Sequence, residues 1–137
     1  MVKKLKLDDQ NSADFHGLGI VSPEKDYRLC YLLNTELGFD FDKSVNIACY
    51  DPAKNKRSPV HCYIHTDNET GQVLYLVKNR QEDFFLVPEM KKADFIFLEP
   101  ANQPGSLDKI KKNISNLFYI QSCFNIPVQN LKHIDAE

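Results

Sequence analysis

Short apolar runs with alternating polar positions dominate the chain, and two longer stretches carry the three- and four-residue spacing of helices. Phe15 to Val21 predicts a strand, with Gly17 and Gly19 marking places where a neighbour packs closely on the backbone. Ser22-Pro23-Glu24 has the chemistry of a helix start: a capping hydroxyl, a proline suited to the first turn and an acid facing the positive end of the dipole. That helix runs through Tyr27, Cys30, Tyr31, Leu33 and Leu37 to a stop at Gly38, and its wide apolar arc predicts deep burial. Val45, Ile47 and Cys49 alternate with polar positions, as do Val60, Cys62 and Ile64, so each run predicts a strand with one core face. Asp67 to Gly71 is a hairpin turn into a strand over Val73 to Val77. Phe84 to Val87 predicts a short strand, and Asp94 to Leu98 another.

A second helix follows Ser106, with Asp108 in its first turn and Leu107, Ile110 and Ile114 as its buried stripe. Phe118 to Phe124 predicts the last long strand, and Pro127, Val128, Leu131 and Ile134 a short closing helix. Lys3 to Leu7 has a period of two and suits an added edge strand. Strands joined mostly by short connections, with only two helical crossovers, predict an α+β fold: a mainly antiparallel sheet with two main helices on one face, best fitted by a ferredoxin-like core with extra strands. Such a fold carries no function by itself.

The 137 residues suit one domain, 1–137, and a 42% hydrophobic, 26% charged composition argues against disorder. A net charge of −2 with both signs interspersed removes the electrostatic motive for a nucleic-acid partner. The lysines near Met1 precede no apolar segment of signal-peptide length, and no window reaches the length of a membrane span, so the expected location is cytoplasmic. Cys30, Cys49, Cys62 and Cys123 form no CxxC pair and read as reduced thiols.

Cys49, His61, Cys62 and His65 raise a zinc reading that their spacing opposes. On one strand His61 and His65 lie about 13 Å apart, whereas zinc ligands sit within about 2.3 Å of the ion, and Cys62 points to the other face. No metal and no cofactor are expected. No GxSxG, P-loop or GxGxxG motif is present, and nothing in the sequence pairs a cysteine with a histidine base. Gly17-Leu-Gly19 before a helix lacks the third glycine of a phosphate loop, and Lys109, Lys111 and Lys112 read as a solvated helix face.

The informative stretch is Val87-Pro-Glu-Met-Lys-Lys-Ala-Asp-Phe95. Pro88 ends a strand or marks an edge, and Glu89 and Asp94 flank a turn between apolar segments. The two carboxylates suit either acid–base work or a structural pairing, and Arg28, inside an otherwise apolar helix, is the candidate partner. These residues resemble the motif of the IPExxxVDY family of small bacterial proteins: Pro88, Glu89 and Asp94 match, while Val87, Ala93 and Phe95 depart but remain apolar. Asp26 to Asn34 and Lys3 to Leu7 extend the resemblance, which implies no particular activity. Two functions follow as expectations. One is a non-enzymatic binding or protein-interaction module, whose partner is another protein or a second copy of the chain in a homodimer through a sheet edge. The alternative is a small enzyme or ligand-sensing domain using Arg28, Glu89 and Asp94.

Overall fold

In the computed structural model the described residues are 15–51, 54–81, 84–101, 107–131 and 134–136. They form strands β1 (Phe15–Val21), β2 (Asp42–Asp51), β3 (Lys56–Thr66), β4 (Val73–Lys78), β5 (Phe95–Pro100), β6 (Ser122–Ile126) and β7 (Ile134–Ala136), with helices α1 (Asp26–Leu37) and α2 (Leu107–Ser115). The seven strands make one sheet in the order β6-β1-β5-β4-β3-β2-β7. Every pairing in it is antiparallel. The chain is therefore an α+β protein. A ferredoxin-like core would place the strand after α1 directly beside β5. That strand, β2, lies three places away with β3 and β4 between, so the order does not confirm such a core.

Alternation along the strands divides the apolar residues between two faces. Leu18, Ile20, Leu74, Leu76, Phe95 and Phe97 meet Leu29, Cys30 and Leu33 of α1 and Ile110 and Ile114 of α2, so both helices cover one face. The other face gathers Phe15, Ile47, Val60, Cys62, Tyr75, Ile96 and Leu98 around Leu86, Val87, Leu131 and Ile134, which come from loops and the C-terminal segment. β5 is buried from Phe95 to Glu99 because it is central in the sheet and covered on both faces. This explains its run of apolar residues without alternation.

The sheet must be curled. A Cβ on Gly17 of β1 would lie 2.8 Å from Leu131 Cδ1, while Ile134, three residues on, pairs with Cys49 of β2. A flat sheet would separate β1 from β7 by five strand spacings, about 24 Å. Three residues span about 10 Å, and a leucine side chain adds only roughly 5 Å. Curling toward the face without helices closes that gap and makes it the concave side. It also explains the two glycines of β1: Leu131 lies over Gly17, and the Phe124 ring lies over Gly19, within 2.6 Å of where a Cβ would stand. The close packing expected at both positions is present.

Several local expectations change. α1 begins at Asp26 with Lys25 at its N-cap and no side-chain cap, while the Ser22 hydroxyl acts ahead of the helix, donating to the Tyr119 carbonyl at 2.8 Å and accepting the Glu24 N–H at 3.3 Å. Gly38 ends it as expected, at φ 77° with its N–H on the Asn34 carbonyl. Only Leu29, Cys30 and Leu33 of α1 are buried; Tyr27 and Tyr31 are 64% and 58% exposed, so the aromatic part of the apolar arc faces outward. Phe84 to Val87 has one isolated bridge, Arg80 to Phe85, and no regular strand. Phe118 is exposed, and the last long strand starts at Ser122. The expected closing helix is a single 3₁₀ turn, Val128–Asn130, followed by β7. The expected edge strand at Lys3 to Leu7 and the Ser106 cap lie outside the described residues.

Candidate functional site

The segment from Asn79 to Asp94 connects β4 to β5 and is built around one buried side chain. Asn79 has no exposed surface. Its Nδ2 donates to the carbonyls of Met90 at 2.9 Å and Ala93 at 3.0 Å, and its Oδ1 accepts the Val87 N–H at 2.8 Å. Its backbone accepts from Leu86 at 2.7 Å and donates to Asp94 at 3.0 Å. A side-chain amide suits this position because it offers two donors and an acceptor in one plane. Leu86 and Val87 are thereby pinned into the concave core, while Pro88–Met90 forms a 3₁₀ turn with Pro88 and Glu89 exposed.

Asp94 joins this loop to the end of β1. Its Oδ2 accepts the Ser22 N–H at 2.8 Å, and its own N–H donates to the Ile20 carbonyl at 2.8 Å. Ser22, 3% exposed, passes the connection on to Tyr119, and Gln121 N–H reaches the Val21 carbonyl at 2.8 Å. The turn acid thus fastens together the end of β1, the start of β5 and the approach to β6.

The expected partnership of Arg28 with Glu89 or Asp94 is not formed. The Arg28 side chain is 55% exposed, with Nε 3.9 Å from Glu24 Oε1 and its guanidinium 5.7 Å from the Tyr31 ring centre. The premise failed where Tyr27 and Tyr31 turned outward: Arg28 lies on the wet side of α1 and needs no buried acceptor. Of the four residues singled out by sequence, Asp94 alone lines either of the two clefts described below.

The cleft lined by Asp94, about 620 Å³, opens between the approach to α1 and the β4–β5 loop. Lys25, Lys78, Arg80 and Lys91 line it, together with Glu24, Asp26 and Asp94. The acids are engaged: Asp94 by the Ser22 N–H, Asp26 by the Tyr27 N–H at 2.9 Å and the Tyr63 hydroxyl at 3.1 Å, and Glu24 by Arg28. Burial and the neighbouring Asp26 carboxylate push the Tyr63 phenol up to about 12, so it remains a hydrogen-bond donor at neutral pH. Among the described residues none of the four cations has an ion-pair partner, and Lys91 lies 5.6 Å over the Phe85 ring. The first turn of α1 adds the positive end of its dipole. The cleft therefore presents net positive potential to a ligand, and it has the concavity of a small-molecule site.

The cysteines and histidines do not gather here. Cys30, Cys49 and Cys62 are buried and Cys123 half-buried. Burial raises the Cys30 and Cys62 thiols to about 12, far from the thiolate form a nucleophile needs. His61 is exposed while Cys62 is buried on the opposite side of β3, and His65 Nδ1 accepts the Asp40 N–H at 3.0 Å.

No family model, no curated protein and no solved structure matches the chain.

Proposed function

We propose that the protein is a non-enzymatic binding module that holds an anionic group in the cleft between the start of α1 and the β4–β5 loop. One observation carries this reading: four cations line the cleft with no ion-pair partner among the described residues, while its three acids are already engaged. In this reading Asn79 and Asp94 are positioning residues. They fix the loop that presents Arg80 and Lys91, and the motif resembling the IPExxxVDY family contributes shape. Arg28 and Glu89 do not line the cleft, which weighs against the enzyme alternative built on them. A reducing, cytoplasmic setting agrees with four cysteines kept as thiols, and no helix among the described residues is long and apolar enough to cross a membrane.

Titration of labelled protein with pyrophosphate, followed by amide chemical shifts, tests the reading. Shifts concentrated at Lys25–Arg28, Lys78–Arg80 and Lys91–Asp94 are expected. Shifts scattered over all surface lysines, Lys109 and Lys112 included, would mean counterion binding and contradict it.

A further inference from the structure

The opposite end of β1 and β5 holds a second cleft, of about 520 Å³, lined by His16, Glu99, Asp108, Asn125 and Pro127 among others. Its chemistry is the reverse of the first. Glu99 is 1% exposed and is the one charged residue in the buried class among the described residues. It stands directly across the strand pair from His16, so the two share the helix-covered face. Its Oε2 accepts one hydrogen bond, from Gln72 Nε2 at 3.2 Å; its Oε1 has no partner among the described residues. Oε1 is not an enclosed unpaired atom, since the Tyr119 hydroxyl is the one such atom among the described residues; it keeps a trace of surface where Glu99 lines the cleft, so a donor entering there can reach it. Asp108, in the first turn of α2, adds a second carboxylate to the lining. Lys111 Nζ donates to Asn125 Oδ1 at 2.8 Å, and Lys111 is not among the residues that line the cleft.

A metal is the wrong occupant, since no three His, Cys, Asp or Glu side chains among the described residues come together as a ligand set. The occupant that fits is instead a charged hydrogen-bond donor small enough to enter the cleft and reach Glu99. We propose that this cleft binds a small organic cation, a primary amine or a guanidinium, with Glu99 Oε1 as the principal acceptor and Asp108 as the second. The site is independent of the anion cleft. The two lie toward opposite ends of a seven-residue strand, about 20 Å long, so that loss of one leaves the other intact.

Calorimetric titration of the full chain with agmatine, and separately with putrescine, tests the proposal. Saturable one-to-one binding of at least one amine is expected. Glu99→Gln preserves shape and removes charge, and should weaken that binding about tenfold or more, with Asp108→Asn weakening it a few-fold. Absence of saturable binding of both amines to the folded wild type would overturn the site, as would unchanged affinity in both variants. Should Glu99→Gln fail to fold, the Glu99 carboxyl carbon of the wild type decides: its resonance must move on adding the bound amine, and a stationary signal rejects Glu99 as the acceptor.

Discussion

Replacing Asn79 by alanine should be among the most damaging single changes in the β4–β5 connection. The change removes hydrogen bonds to the carbonyls of Met90 and Ala93 and from the Val87 N–H, at 2.8–3.0 Å. Each contributes about 1 kcal/mol net, and an unsatisfied buried N–H adds a further penalty of roughly 1–3 kcal/mol. Val87 has no exposed surface, so its N–H cannot turn to water while the fold persists. The expected loss is about 3–5 kcal/mol. With a urea dependence of about 2 kcal/mol per molar, the unfolding midpoint falls by about 2 M. Asn79→Asp separates the staple from mere packing, because it keeps the volume and the acceptor for Val87 but puts a carboxylate against two carbonyl oxygens. It should be at least as destabilising at pH 7. An Asn79→Asp protein within about 1 kcal/mol of wild type would refute the hydrogen-bond account and leave shape as the role of Asn79.

Three other outcomes follow from the packing. Gly19→Ala places a Cβ 2.6 Å from the Phe124 ring and should destabilise by about 1–3 kcal/mol in urea unfolding, more than Gly17→Ala, whose 2.8 Å neighbour is the end of the Leu131 side chain. Tyr119→Phe removes a buried hydroxyl with no hydrogen-bond partner in the described structure and should raise stability by about 1 kcal/mol; a comparable loss would mean the hydroxyl has a partner. Alkaline unfolding tests the thiols: Cys30 and Cys62 are raised by burial from 9.0 to about 12, so the unfolded state loses their protons first. Their contribution is complete below about pH 9 and disappears as pH rises toward 12, and replacing both by alanine should flatten that part of the stability profile.

The α+β class was legible because core strands such as β3 and β4 bury one or both faces in runs that sequence periodicity detects. The breaks at Gly38 and at Asp67–Gly71 also carry their own turn chemistry. The close packing at Gly17 and Gly19 was legible from type alone, although the neighbours Leu131 and Phe124 are more than a hundred residues away and could not be named. β7 was unreadable because three residues at an edge carry no period, and its pairing with β2 depends on sheet curl. Of the motif, Asp94 was correctly set at a corner, but its partner is the backbone of Ser22, which any residue except proline could supply, so no pair of side chains signals it. Arg28 misled because tyrosine counts as apolar in a helical stripe while tolerating an exposed position. Asn79 and Glu99 left a fainter trace: each is a polar residue at the end of an apolar strand, Val73–Lys78 and Phe95–Pro100, where exposure is the ordinary expectation. Their burial comes from segments distant in sequence, Asn79 beneath the 86–93 loop and Glu99 against Gln72.

The anion cleft is tested most directly by calorimetric titration with pyrophosphate of wild type and of the Lys78→Ala/Arg80→Ala double variant, each at low and at physiological salt. The account predicts saturable binding to wild type that weakens with salt, and loss of at least tenfold in affinity in a double variant whose unfolding midpoint is unchanged. Equal affinity of the two proteins, or no saturable binding by wild type at low salt, would contradict it.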